Sequence, residues 1–419
     1  MRSGPGRMLL CAAVALPLAL AACAGGGDEG VEPVKTSACG PVVYEGEGEP
    51  DVVVVSNMPR RGGDAPATKH IVDAIEFILR KREYRAGEFR VGFQSCDDTV
   101  AGRPDAGRCT GNARAYVSTK SVVGVIGPFI SGCAKLQIPI VSRTAAGPLA
   151  MISPSNTFVG LTRGPDARTL YPDGVRSYAR VVTHDNAQAA AAAHIARRLG
   201  AHRVAVLSQR AVDDEYAAAL TAAFRATARS LGVEERTFDW PVQERYRELA
   251  ASVAAFAPQA VYLVGLPEGN ADTLIRDVKA ALPDVEVITP DSFAVPDTAD
   301  ELGPIGDGLI TTVPGLPPSE LPSAGQRFLR EFGSQTGSPG TGPPEAAQAT
   351  EVLLDAIARS DGTRASVVEQ LFATKVEDGI LGSFTFDERG DIDPAPVGVY
   401  RFRDGRIVAD GVARISLNR

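Results

Sequence analysis

Two short stretches combine hydroxyls, glycine and open backbone in a way that can hold an anion. Gly127-Pro-Phe-Ile-Ser-Gly-Cys133 puts Ser131 at a helix start just after an apolar run, and Met151-Ile-Ser-Pro-Ser-Asn-Thr157 gathers Ser155 and Thr157 after another. Free N–H groups at a helix start attract negative charge, so neutral donors of this kind suit a carboxylate. The same residue types are preferred N-caps, which is the plain alternative for either stretch taken singly. Catalytic patterns are missing from the sequence: there is no Gly-x-Ser-x-Gly, P-loop, Gly-x-Gly-x-x-Gly after a strand or His-Glu-x-x-His. His70, His184, His194 and His202 are scattered and no Cys-x-x-Cys occurs, so neither a zinc site nor a redox pair is indicated. We expect no catalytic residue, no cofactor and no metal.

The elements that must position these loops follow from periodicity. Asp51–Ser56 is a continuous β-branched run that fits a parallel strand buried on both faces. An amphipathic stretch, Ala67–Arg82, comes next. The unit recurs with Phe89–Gln94 and Gly111–Thr119, then with Ser121–Ile126, then with a strand expected at Ile138–Ser142. A second series begins near His184 with the helix Ala187–Leu199, the strand Arg203–Ser208 and the helix Glu215–Leu231. It continues through Thr237–Trp240, Tyr246–Phe256, Ala260–Gly265, Ala271–Ala281 and Glu286–Thr289. Gly308–Val313 reads as a strand and Glu345–Ser360 as a helix. Asp387-Glu-Arg-Gly390 is expected to turn a hairpin between Gly382–Phe386 and Gly398–Arg403. Such βαβ repetition predicts an α/β chain of two doubly wound, Rossmann-like lobes joined by several crossings, with a cleft at the carboxyl ends of the strands.

The N-terminus carries Arg2 and Arg7, an apolar run from Met8 to Leu20, and then Leu20-Ala-Ala-Cys23. This is the order of a signal peptide ending at a small-residue cleavage site, and the run is too short to span a bilayer. The ending resembles a bacterial lipobox, which implies that the Cys23 thiol is lipidated and begins the mature chain. Residues 24–37 are small and polar, as a tether should be. Removing 1–22 deletes two arginines and no acid, taking the formal charge from −8 to −10. An acidic body argues against nucleic acid. With Cys11 and Cys23 set aside, Cys39, Cys96, Cys109 and Cys133 remain; outside the cytoplasm an even number implies two disulfides. Four cysteines allow three pairings, and spacing does not choose among them.

Five segments occur in register in the order found in the leucine/isoleucine/valine-binding proteins. They are Gly127–Ser131, Ser153–Thr157 with Leu161-Thr162, Arg180–Asp185, Asp307–Pro314 and Phe386–Asp391. The chain resembles that family, the type I periplasmic binding proteins of ABC importers, over roughly residues 50–410. The resemblance implies a ligand α-carboxylate held by Ser131, Ser155 and Thr157. It implies an α-ammonium bound by Asp291 and an aromatic wall at Tyr216. The second wall position falls near Leu266, a departure, and Arg60 and Arg61 stand in a first loop that is usually neutral in the family. For the disulfides it favours Cys96–Cys133 with Cys39–Cys109, and the rival is Cys96–Cys109 with Cys39–Cys133.

The expected organisation is a leader at 1–22, a lipidated tether at 23–48, a first lobe at 49–183 plus 298–375 and a second at 184–297 plus 376–419. The expected function is that of an extracytoplasmic lipoprotein, anchored to the outer face of the cell membrane. As a monomer it would bind an amino-acid-like small molecule and deliver it to an ABC permease. A ligand-sensing module of the same fold and an exported enzyme are the alternatives.

Overall fold

The computed structural model describes residues 31–210, 215–267, 270–336 and 342–415, together with Met1 and Gly4. The expected leader and the lipidation of Cys23 lie outside the described residues. Among the described residues no helix is long and apolar enough to cross a membrane.

In the first lobe the strands are β1 (Cys39–Val43), β2 (Val52–Met58), β3 (Arg85–Ala86), β4 (Phe89–Asp97), the small pair β5 (Thr99–Val100) and β6 (Arg103–Pro104), β7 (Val122–Ile126), β8 (Ala150–Ser153) and β9 (Tyr178–Arg180). The main sheet runs β1-β4-β2-β7-β8-β9, parallel except for the edge strand β1. Its unbroken Val52–Val55 run lies at the centre and is buried along its whole length, because helices cover both faces of a doubly wound sheet. Ala65–Lys81, Pro343–Arg359 and Arg364–Phe372 pack on one face, and Ala106–Ser118 and Ser131–Val141 on the other.

The second lobe contributes β10 (Arg203–Arg210), β11 (Glu234–Pro241), β12 (Ala260–Val264), β13 (Glu286–Thr289) and β14 (Ile310–Pro314). After a small sheet of β15 (Lys375–Gly379), β16 (Gly382–Phe386) and β17 (Ile392–Asp393), the chain returns with β18 (Ala395–Arg403) and β19 (Arg406–Ile415). The sheet order is β11-β10-β12-β13-β14-β18-β19. Counted along the chain, both sheets therefore share a 2-1-3-4-5 parallel core, whose carboxyl edge is where open α/β sheets receive ligands. The helix Asp185–Arg198 is buried almost all round by its run of alanines, whose small side chains let it press close to the neighbouring helix Glu215–Ser230.

Several expectations need correction. Ile138–Ser142 is not a strand: it closes the helix Ser131–Val141, with Cys133, Ala134, Gln137, Ile138 and Val141 buried at helical spacing. The strand occupies Ala150–Ser153 instead. Gly382–Phe386 and Gly398–Arg403 do not form a hairpin. The first pairs with β15 and β17, the second with β14 and β19. The Asp387–Gly390 turn instead leads into β17, and Gly390 is required there. Its φ is +90°, and a Cβ would lie 2.3 Å from the Tyr178 carbonyl oxygen. Sheet membership also moves two lobe boundaries. Within 298–375, β14 belongs to the second sheet, and Ile380, Phe384, Phe386 and Ile392 join the first lobe's core. The end of the expected tether is structured too: Val34 N–H donates to Gln94 Oε1 at 2.8 Å, and β1 pairs with β4.

The disulfides follow the third pairing, neither the one the resemblance favours nor its rival. Cys39 lies opposite Cys96 in the β1/β4 ladder and is bonded to it, while Cys109 and Cys133 join the two helices that cover one sheet face. Neither Cys96–Cys133 nor Cys39–Cys109 forms, and the Cys96–Cys109 alternative fails for the same reason. The addition of β1 as an edge strand brings Cys39 to Cys96, and this leaves the helical cysteines facing each other. Asp98 lies near the Cys109 and Cys133 sulfurs, which are bonded to each other and so offer no thiolate to a metal. Non-reducing tryptic mapping should recover residues 36–60 linked to 91–108, and 109–114 linked to 121–135. The closed segments span 57 and 24 residues, so on loop entropy each bridge should contribute about 3–4 kcal/mol. Peptides 36–60 and 109–114 found joined would overturn this assignment.

Candidate functional site

Three crossings connect the lobes: after β9, after β14, and between β17 and β18. They lie side by side, because the Pro396 carbonyl accepts hydrogen bonds from both Thr183 Oγ1 (2.6 Å) and Gly315 N–H (3.0 Å). Beside them sits a buried ion-pair cluster. Arg180, fully buried, donates through Nε to Asp391 Oδ1 at 2.7 Å, and Arg163 Nε donates to Asp391 Oδ2 at 2.7 Å and also pairs with Asp387. Burial alone would push the Asp391 carboxyl up, but Arg180 and its other cationic neighbours outweigh it and hold the group far below the usual carboxylate range. Burial, helped by Arg180, lowers His184 to about 3, so its imidazole is neutral at pH 7.

This cluster props up the first-lobe loops. Arg180 Nη1 also donates to the carbonyls of Asn156 (3.0 Å) and Phe158 (2.9 Å). Ser155 Oγ and Asn156 Nδ2 both donate to the Phe129 carbonyl at 2.8 Å. Gly127 lets the chain leave β7 toward this contact: its φ is +121°, and a Cβ would come within 2.8 Å of the Asn57 carbonyl oxygen.

Between the lobes these loops enclose a cavity of about 240 Å³. Ser155 and Thr157 line it from the first lobe and Asp291 from the second, so three of the five expected ligand residues meet there. Tyr216 does not line the cavity. Its hydroxyl donates to Asp291 Oδ1 at 2.7 Å, so it positions the carboxylate from outside the lining. Ser131 lies outside the lining as well, its Oγ accepting a long 3.5 Å bond from Phe158 N–H. Leu266 is 51% exposed and outside the cavity lining, and Asp97 takes up the Arg60 backbone N–H and the Arg61 guanidinium. A second support for Asp291 is Gln188, whose Nε2 donates to Oδ1 at 2.9 Å and to the Thr312 carbonyl at 2.6 Å. Burial raises the Asp291 carboxyl, and these two donors counter the shift.

The sequence reading missed Phe129, Val182, Glu345 and Tyr400, which are also part of the lining. Glu345 looks like an ordinary first-turn acid of the helix Pro343–Arg359. Tyr400 looks like any half-buried strand aromatic. No local signal marks either.

A two-lobed fold with its polar groups converging on an interlobe cavity is the arrangement of a ligand-capturing protein, and residues 102–405 match the family model described as "Periplasmic binding protein". The chain belongs to that family. A comparison with curated protein sequences returns no significant match. Among solved structures, this periplasmic binding protein is similar to a leucine-binding protein from Thermotoga maritima, at 22% identity and a TM-score of 0.70, covering 86% of this chain and 98% of that one. It is also similar to an ABC transporter substrate-binding protein from Desulfitobacterium hafniense in complex with Leu (20% identity, TM-score 0.69, 85% and 99% covered). A third is a solute-binding protein from R. palustris in complex with benzoate (16% identity, TM-score 0.64, 88% and 98% covered). The expected α/β fold of two doubly wound lobes is thereby shown, and the family places this periplasmic binding protein outside the cytoplasm.

Proposed function

We propose that the protein is the solute-binding lipoprotein of an ABC importer, held at the membrane by a lipid on Cys23, and that it captures an amino acid or a similar small zwitterion. One observation carries this reading. The Asp291 carboxylate, fixed by Tyr216 and Gln188, lines the same cavity as Ser155 and Thr157, whose hydroxyls would turn from the Phe129 carbonyl and the Asp185 carboxyl to a bound carboxylate. An ammonium on Asp291 and a carboxylate on the hydroxyl side would use both halves of the site, and charge-assisted hydrogen bonds of this kind are roughly twice as strong as neutral ones. At about 240 Å³ the cavity is below the usual 300–1,000 Å³ of drug-sized sites, which suits a molecule of amino-acid size. Contacts to both lobes would favour a closed form for a permease to recognise. No turnover is expected.

The test is a thermal-shift screen of the purified protein against the standard amino acids, small amides and simple carboxylates. A ligand at one hundred times its Kd adds about 2.7 kcal/mol. At roughly 2–4 °C per kcal/mol this is a rise of about 5–10 °C for at least one amino acid. Stabilisation by benzoate or another plain carboxylate, with none by any amino acid, would discard the zwitterion reading.

A further inference from the structure

The cavity is lined by one more carboxyl group than a neutral amino acid needs. Besides Asp291 it is lined by Glu345, whose neighbours differ from those of Asp291. A Cβ on Gly315 would meet Glu345 Oε1 at 3.4 Å, and the Glu345 charge contributes to raising Tyr400 to about 12, after burial. Glu345 Oε2 is shielded from water and has no hydrogen-bond partner. Nearby, the buried Asp185 likewise keeps an unpartnered Oδ1. No Lys, Arg or His is present among the described residues that line the cavity. The internal segments 211–214, 268–269 and 337–341, outside the described set, contain none in sequence either. A buried carboxylate without a partner is unfavourable. Burial accordingly raises both Glu345 and Asp185 to about 7.

We propose that Glu345 is a second cation-binding point in the interlobe cavity, and that the ligand is an amino acid whose side chain ends in a positive charge, of the lysine or ornithine class. This rests on the zwitterion reading and narrows it. The α-ammonium meets Asp291, the α-carboxylate meets Ser155 and Thr157, and the distal ammonium meets Glu345 beside Tyr400. The aliphatic stem lies against the apolar lining of Phe129, Val182 and Val313. A plain anion would meet two carboxyl groups and no cation among the described lining residues.

Isothermal titration of the full protein with L-lysine, L-ornithine, L-leucine and L-norleucine tests this, because norleucine keeps the lysine stem and lacks the distal charge. Lysine or ornithine is expected to bind at least about tenfold more tightly than norleucine. Glu345→Gln should erase that preference while leaving norleucine affinity within about threefold. Because Glu345 is on a helix packed into the core, the melting midpoint of the unliganded variant is measured alongside. Glu345→Asp, which keeps the charge, should retain part of the preference. Leucine or norleucine binding as tightly as lysine to the unmodified protein overturns the assignment of Glu345 and leaves the amino-acid reading intact. Binding of none of the four overturns the lysine-class assignment, while the zwitterion reading stands or falls on the wider thermal-shift screen.

Discussion

Asp291→Asn is expected to remove amino-acid binding while leaving the protein folded. The variant keeps a side-chain oxygen for Tyr216 and Gln188, so the local hydrogen bonds survive. What it loses is the charge. Truncating one partner of a buried, hydrogen-bonded charge pair costs about 2–5 kcal/mol, so Kd should rise by roughly a hundredfold or more. The unliganded variant should not lose stability. In the native protein, burial raises the Asp291 carboxyl above its unfolded value of 3.8. A carboxyl with a raised folded pKa contributes fully below the unfolded value, and that contribution is lost as pH rises through the folded one. The advantage of Asn over Asp should therefore grow with pH above about 4. Thermal midpoints of both proteins between pH 4 and pH 8, with and without ligand, check both parts. An Asn variant that still binds amino acids at the native affinity would remove Asp291 from the site.

The largest loss of stability is expected from Asp391→Ala. The substitution strands Arg180, which is fully buried and has no other carboxylate at hydrogen-bond distance among the described residues. Breaking a buried pair from one side costs about 3–5 kcal/mol, which at roughly 2–4 °C per kcal/mol lowers the midpoint by about 10 °C. The pH dependence has the opposite sign to that of Asp291. The folded pKa of Asp391 is depressed, so its contribution is present above the unfolded carboxyl value and is lost as pH falls below about 4. The gap between the native protein and the variant should thus narrow in acid. Removing the surface pair Arg143–Asp173, whose side chains are 45% and 64% exposed, should shift the midpoint by no more than about a degree or two. Ligand affinity should also fall in Asp391→Ala, because Arg180 holds the Asn156 and Phe158 carbonyls behind Ser155 and Thr157. An unchanged midpoint at pH 7 would show that this cluster is not holding the crossings together.

Particular residues explain what could be read from the sequence. The Val52–Val55 run and the alanine-rich Asp185–Arg198 segment have patterns that only buried elements satisfy, so the two doubly wound lobes were legible. Ser155 and Thr157 stood out as hydroxyls in a loop at the edge where such sheets gather ligands, whereas Asp291 was nominated by the family resemblance alone. Glu345 was not, since its place in the lining depends on the helix Pro343–Arg359 returning from late in the chain to cover the first sheet. Gln188 was hidden for a related reason: it sits within a helix that is buried almost all round, where periodicity names no special face. Ile138–Val141 has strand-like composition, and the helix wins through the tertiary burial of one of its faces. The disulfide pairing turned on β1, a five-residue strand containing Gly40 and Pro41 that carries little strand signal of its own.

That short strand also decides where force enters the molecule. Any pull applied through the residues before Cys39 meets the Cys39–Cys96 bond before it can peel β1 from β4. A covalent link at the first residue of an edge strand turns unzipping, in which hydrogen bonds would break one at a time, into a load borne by the central strands of the first sheet. The second sheet has no such attachment point in the N-terminal segment. A protein leashed at this end would therefore be held by its first lobe.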